Sequence, residues 1–150
     1  MRTQSLLRIL LLAAILIVGW WLSVRREGGA PRTSHTVTSA PSEQAILEAF
    51  RERKSDVWVE AEGVVERTLA DDLQGSRHQR FIVRLRGGHT VLVSHNIDLA
   101  QRVPLQQTDV VSFRGEYEWN AQGGVVHWTH HDPAERFEGG WIRHQGTLYR

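Results

Sequence analysis

The sequence predicts a mainly β protein whose folded part is a small five-stranded Greek-key barrel of the OB type, preceded by a short helix and an N-terminal transmembrane helix. The segments after residue 55 follow the order strand, strand, strand, short helix, strand, strand, which is the order in an OB barrel. Gly63 interrupts the first long strand and predicts a bulge or bend. Gly87-Gly88 separates two apolar runs and predicts a hairpin. A β-sandwich fragment is the alternative, although five strands are few for one.

Residues 1–26 predict a membrane anchor. The apolar run at residues 9–24 extends about 24 Å as a helix, short of the ~30 Å hydrocarbon core, and residues 6–7 close the gap if Arg8 reaches the headgroups. Trp-Trp-Leu at residues 20–22 stands where a cleavage site needs small side chains, which favours an uncleaved signal anchor. We expect a single-pass protein of a bacterial inner membrane with a periplasmic C-terminal domain.

A flexible linker and a short helix are expected between the anchor and the barrel. Residues 27–41 are rich in Gly, Ser, Thr and Pro, a composition typical of a tether. Residues 42–55 are predicted to be helical, with Ser42 as the cap. Its apolar side, formed by Ile46, Leu47 and Phe50, is expected to cover one end of the domain.

The charge distribution argues against a nucleic-acid partner. Eight of the 18 basic residues and four of the 17 acidic residues lie in residues 1–55. Ten basic and thirteen acidic residues therefore remain in the predicted barrel, residues 56–150, whose net charge is about −3. A protein that follows a nucleic-acid backbone needs a basic surface.

The strand pattern sets the expected faces and register. Strands are predicted at residues 57–68, 79–86, 89–96, 109–119 and 125–130, with one or two helical turns at 97–103 and a tail, 133–150, that packs back on the barrel. Alternation in the fourth strand puts Val111, Phe113, Tyr117 and Trp119 on one face. A two-residue turn at Gly87-Gly88 would place Arg80 opposite His95.

The predicted topology gathers polar side chains at one end of the barrel, which we call the polar pole. In an OB barrel strand 5 lies beside strand 3 and parallel to it, and the loop after strand 1 opens at the same end. The predicted ligand-binding residues of the polar pole, with Asp71 beside them, are Asp72, His78, Gln79, Arg80, His95, Asn96, Asp98, His130, His131 and Asp132.

Several strings around these residues resemble a known family. They are DDLQGSRHQRF, SHNIDLA, GEYEWN, GGVVHWTHHDP and GGWIRHQGTLY. Together they are similar to an uncharacterised bacterial family, number 3465 in the domain-of-unknown-function series, over residues 56–150. The resemblance implies a small bacterial protein with an N-terminal export or anchor segment, and it implies no activity, substrate or catalytic residue.

Two chemical hypotheses use the polar pole. Hydrolysis would use His78, His95 or His130 as general base with an aspartate such as Asp132, and Arg80 to steady an anion. A divalent transition metal would use His127, His130, His131 and Asp132, completed by His78 or His95. The spacing of these ligands matches no known metal signature.

Binding without catalysis is the leading hypothesis, with metal-assisted hydrolysis second and a scaffold role in an envelope assembly third. The expected partners are the membrane, through residues 1–26, and a polar ligand or an envelope protein. Trp119, Trp128 and Trp141 could stack on sugars or bases, whereas Trp58 is assigned to packing. His89 and His144 are the histidines first set aside.

Overall fold

The computed structural model describes residues 41–136 and 138–150, which are mainly β, with one short helix and a closed five-stranded barrel. The elements are α1 (Pro41–Glu52), β1 (Val57–Thr68), β2 (His78–Leu85), β3 (Thr90–Asn96), β4 (Val110–Glu118), β5 (Val125–His127), β6 (Trp141–His144) and β7 (Thr147–Tyr149). The predicted anchor, residues 1–26, and the linker up to residue 40 lie outside the described residues. In the described part of the chain, no helix has the length and apolarity needed to cross a membrane.

The five long-range pairings of β1 to β5 close the barrel. The strands follow the order β1-β2-β3-β5-β4, and β1 also pairs with β4. The pairing of β5 with β3 is parallel, as predicted, and the pairings of β1 with β2 and β4 are antiparallel. β1 pairs with one edge of β4. The other edge of β4 is shared, because β5 pairs with Glu116–Glu118 and β6 pairs with Val111–Arg114.

Strict alternation fills the barrel with apolar side chains. On β4 the buried residues include Val111, Phe113 and Tyr117, as the sequence predicts. The other core side chains of the barrel strands are Val59, Ala61, Val65, Phe81, Val83, Leu85, Val91, Val93 and Val126. Because side chains of a strand point alternately to opposite faces, the residues between them form the outer surface.

The β2–β3 hairpin has a different turn from the one predicted. Leu85 N donates to His89 O (2.8 Å), so the loop has three residues, and Gly88 lies in the left-handed region at φ 89°. A three-residue loop with glycine in this conformation is a common hairpin connection. The register therefore shifts by one, and Gln79, instead of Arg80, lies opposite His95. Both side chains of this pair point into the barrel.

Gly63 is explained by close approach, and the predicted bulge at this residue is wrong. Gly63 pairs regularly with Leu85 and with Val111, and the irregularity of β1 lies between Val65 and Arg67. A Cβ at Gly63 would lie 2.5 Å from Val83 Cγ1. β1 and β2 therefore approach each other too closely at Gly63 to leave room for a side chain.

α1 covers the end of the barrel opposite to the polar pole. It begins at Pro41, so Ser42 lies within its first turn. Ile46 and Ala49 are buried in the core, and buried Glu43 accepts a hydrogen bond from Gly87 N (2.6 Å). Phe50 O accepts from Trp119 Nε1 (3.1 Å), which ties the helix to the β4–β5 loop.

Residues 97–103 were expected to form one or two helical turns, and they contain one turn with the i→i+4 hydrogen bond of a helix, from Ala100 N to Asn96 O (3.1 Å). The fifth strand is shorter than predicted. β5 ends at His127, because Trp128 adopts φ 53° and breaks the alternation. The tail packs on the barrel as predicted, with β6 paired to β4 and β7 paired to β6.

Candidate functional site

His95 forms the inner layer of the polar pole. The side chain is completely buried, and its Nε2 lies 3.1 Å from Gln101 O while its Nδ1 lies 2.8 Å from Thr129 Oγ1. Because a carbonyl only accepts, Nε2 carries the proton, and Thr129 Oγ1 donates to Nδ1. His95 thus joins the β3–β4 loop to the segment that follows β5.

The contacts of His95 have the connectivity of a nucleophile, a base and an orienting group, but their environment is structural. Thr129 is completely buried, so its hydroxyl has no access to a substrate. Burial, with a smaller contribution from the nearby His130 and His78, lowers the pKa of His95 to about 4, although the hydrogen bond to Gln101 O raises it in part. A base this weak is poorly matched to proton abstraction near neutral pH.

Gln79 holds the same loop at a second point. Its Nε2 donates to Val103 O (2.8 Å), and its Oε1 accepts from Val103 N (2.9 Å). The side-chain amide pairs with the backbone of Val103 as a neighbouring strand would. Gln79 and His95 are cross-strand partners, so the path of residues 101–103 is fixed by two adjacent, inward-facing polar side chains.

Two arginines lie on the outside of this loop. Arg80 Nε donates to Ala70 O (3.0 Å), and Arg102 forms an ion pair with Asp71. Each guanidinium is therefore held by one contact to the β1–β2 loop, which orients its remaining N–H groups. Asp72 completes this loop through two backbone hydrogen bonds with His78.

A pocket of about 240 Å³ opens between these arginines, and we call it the arginine pocket. It is lined by Thr68, Leu69, Gln79, Arg80, Arg102, Val103, Pro104 and Leu105. The buried amide of Gln79 and the loop that it holds form one wall. One side of the arginine pocket is therefore fixed by the buried hydrogen bonds between Gln79 and Val103.

A separate group of polar residues borders the pole at the start of β2. Arg77 donates to Asp98 through its backbone N and its Nε, both at 2.7 Å. These two hydrogen bonds lower the pKa of Asp98. Asn96 Oδ1 accepts from Asp98 N (2.9 Å), and His78 Nδ1 donates to Ser76 O (2.7 Å). His78 therefore has its lone pair on Nε2 in the neutral form.

The residues after β5 are held mainly by local contacts. His130 is buried and its Nδ1 donates to His131 O (2.7 Å), while His131 itself is exposed. Asp132 is buried and accepts from Arg136 N (3.0 Å) and Nε (3.1 Å). The Arg136 side chain lowers the pKa of Asp132 to about 2, which fixes this carboxylate as the centre of a turn.

His127 lies apart from the other predicted metal ligands. It is on the outer face of the barrel, where its Nε2 lies 3.4 Å from Glu118 Oε1. Across residues 41–136 and 138–150, no three His, Asp or Glu side chains are arranged to hold a metal ion. The residues that the sequence suggested as ligands of a divalent transition metal therefore do not form such a group in this part of the chain.

A comparison with family models decides the classification. The model described as "Protein of unknown function (DUF3465)" matches residues 31–150, which include α1 and the whole barrel. The chain belongs to the DUF3465 family. No curated protein matches this DUF3465 chain.

The DUF3465 chain brings together most of the predicted residues, in different roles. Gln79, His95 and Asp132 are buried and bonded to loops, whereas His78, Arg80, Asn96 and Asp98 lie nearer the surface. That these residues bind a ligand stays a prediction.

The residues that the sequence did not point to are Arg102 and the pair formed by His144 and Asp109. His144 is buried, with its Nε2 2.9 Å from Asp109 Oδ2. The alternation of residues 141–144 could have indicated that His144 points inward with Ile142. Nothing in the sequence marks Arg102, since the path of its loop depends on the contacts of Gln79 and His95.

Proposed function

We propose that the DUF3465 domain is an OB-like binding module that takes a small ligand with an anionic group, a carboxylate or a phosphate, in the arginine pocket. The order β1-β2-β3-β5-β4, the parallel β3–β5 pair and the β1–β4 closure support the OB-like description. We further propose that residues 1–26 anchor this domain on the periplasmic side of a bacterial inner membrane, in keeping with their apolar run and flanking arginines.

The observation that carries the proposal is the presence of two oriented guanidinium groups in one pocket with a rigid wall. Arg80 and Arg102 are each held by the β1–β2 loop, through Ala70 O and the Asp71 carboxylate. Their remaining N–H groups suit the oxygens of a carboxylate or phosphate. Because the wall is fixed by buried hydrogen bonds, a ligand would meet a preformed site, which reduces the entropic cost of binding.

The size and charge of the pocket limit the ligand. A volume of about 240 Å³ suits a small ligand or one group of a larger one. Asp71 offsets part of the positive charge of Arg102, so a polyanion gains little at this site. The negative balance of residues 56–150 also disfavours a long nucleic acid.

Hydrolysis remains the second candidate function. Its support is the orientation of His78 and His130, whose Nδ1 atoms donate to Ser76 O and His131 O. Such a contact leaves the lone pair on Nε2, where a general base needs it. Binding is favoured because the arginine pocket offers a seat for a ligand, and no hydroxyl among the described residues is hydrogen-bonded to either of these imidazoles.

The test is a titration of the full-length chain with inorganic phosphate and with acetate at constant ionic strength. We expect a dissociation constant in the millimolar range for at least one anion, and an increase of about tenfold, or 1.4 kcal/mol, for Arg80→Gln and for Arg102→Gln. Arg84→Gln is the matched control, because Arg84 lies on the same strand and pairs with Glu66 on the outer surface.

Two outcomes would contradict the proposal. One is that neither anion binds the wild-type chain at concentrations up to roughly 50 mM. The other is that Arg84→Gln weakens binding as much as the two pocket substitutions do, since this would indicate a general effect of charge. Thermal unfolding of each variant shows whether the domain stays folded.

A further inference from the structure

The outer face of β1, β4 and β6 carries alternating tryptophan and arginine side chains. Trp58 on β1 lies diagonal to Arg114 on β4, and Arg114 is the cross-strand partner of Trp141 on β6. Arg114 Cζ lies 5.6 Å from the Trp58 ring centroid, and Arg143 Cζ lies 5.5 Å from that of Trp141. Cation–π contacts at these distances hold the rings in place. We call this surface the tryptophan face.

Trp58, which the sequence assigned to packing, lies on the outer face of the barrel and is not part of the core. Its neighbours Val57 and Val59 are turned toward the core, and 38% of the Trp58 surface is exposed. A large, oriented and partly exposed indole on a rigid sheet provides a stacking surface, because its position is fixed before any ligand arrives.

A polar pocket of about 430 Å³ adjoins the tryptophan face. Arg143, which contacts Trp141, is one of its lining residues, together with Glu62 and Ser112. Ser112 Oγ donates to Glu62 Oε2 (3.1 Å). On another side His144 Nε2 donates to Asp109 Oδ2 (2.9 Å), which orients the imidazole with its Nδ1 as an acceptor. The pocket thus presents several hydrogen-bond acceptors and few positive charges.

The charges around this surface select against polyanions. Glu60, Glu62 and Glu116 lie on the outer face of β1 and β4, and Glu138 pairs with Arg114 (2.7 Å). These carboxylates outnumber the two arginines and would repel a phosphate backbone. Hydroxyl groups donate readily to carboxylates, and the apolar faces of pyranose rings pack on indole rings.

We propose that the tryptophan face and the adjoining pocket form a binding site for a neutral oligosaccharide. One pyranose ring packs on Trp58, and the hydroxyl groups of another donate to Glu62 and Asp109 in the pocket. Trp58 lies opposite Glu116 on β4, and Arg143 lies opposite Ser112, four residues away on the same strand. Four residues along β4 and the two strand spacings from β1 to β6 correspond to a distance of roughly 17 Å. This length fits several sugar units better than one. The site is distinct from the arginine pocket and does not depend on it.

The test uses the full-length chain in a zwitterionic detergent without sugar groups, titrated with chitohexaose, with cellohexaose and with a dodecamer of thymidine. We expect at least one hexasaccharide to bind and the oligonucleotide not to bind. Trp58→Ala and Glu62→Gln should each raise the dissociation constant of the hexasaccharide about tenfold, and Trp58→Phe should retain most of the affinity. Leu73→Ala is the control, because Leu73 is 70% exposed on the β1–β2 loop.

Three results of these titrations would overturn the proposed oligosaccharide site. Absence of binding to both hexasaccharides overturns the proposal, as does unchanged affinity in Trp58→Ala and Glu62→Gln. Binding of the oligonucleotide in preference to the sugars overturns it too. If Trp58→Ala fails to fold in a thermal unfolding control, Glu62→Gln and Trp58→Phe still decide the result. Phosphate binding at the arginine pocket should be unchanged in all of these variants.

Discussion

The domain is expected to lose about 3 kcal/mol of unfolding free energy between pH 7 and pH 4 through the titration of His95 alone. Burial lowers the pKa of this imidazole to about 4, from an ordinary value of 6.5 in the unfolded chain. Between these two values the unfolded chain binds a proton that the folded chain does not. Stability from this group is therefore complete above pH 6.5 and is lost progressively as the pH falls to about 4.

The measurement is urea unfolding followed by tryptophan fluorescence at several pH values, for the wild-type chain and for His95→Gln. Glutamine does not titrate, so the difference in stability between the two proteins should shrink as the pH falls. At pH 7 the substitution should destabilise by about 1–3 kcal/mol, because the hydrogen bonds to Thr129 and Gln101 are perturbed in a buried site. Parallel pH profiles for the two proteins would contradict the assigned role of His95.

Gln79→Leu is expected to destabilise the domain by about 2–4 kcal/mol, because both backbone polar groups of Val103 lose their partner in a buried site. The leucine side chain is close in volume to glutamine, so little of this loss comes from packing. The loop that forms a wall of the arginine pocket should also loosen. Hydrogen exchange at the Val103 amide should become faster, and the opening free energy derived from it should fall by a similar amount.

Gln74→Leu provides the control for this substitution. Gln74 is exposed on the β1–β2 loop, and the same chemical change there should alter stability by less than about 0.5 kcal/mol. A Gln79→Leu protein with wild-type stability and wild-type exchange at Val103 would mean that the amide pair does not hold the loop.

The faces of the strands were predictable from the sequence because alternation depends only on neighbouring residues. The burial of Val111, Phe113 and Tyr117 follows this rule. The parallel pairing of β3 with β5 was predicted from the topology of an OB barrel once the order of the strands was assigned. The register of the β2–β3 hairpin was not predictable. Gly87-Gly88 is compatible with a two-residue or a three-residue turn, and the conformation of Gly88 decides between them.

The candidate site was predictable as a region and not as a set of roles. Gln79 and His95 were placed at the polar pole, but their partners are the backbone of Val103 and Gln101 and the hydroxyl of Thr129. Backbone groups have no signature in a sequence, so a structural histidine cannot be told from a reactive one. Arg102 was missed for the same reason.

Whether the arginine pocket binds an anion can be measured by titrating ¹⁵N-labelled protein with phosphate at constant ionic strength and recording NMR spectra of the backbone amides and arginine side chains. We expect the largest chemical-shift changes at residues that line the arginine pocket, namely at Arg80 Nε, Arg102 Nε and the amides of Thr68, Leu69, Val103 and Leu105. Chemical-shift changes concentrated at other arginines, such as Arg84 or Arg143, would mean that phosphate does not bind in the arginine pocket.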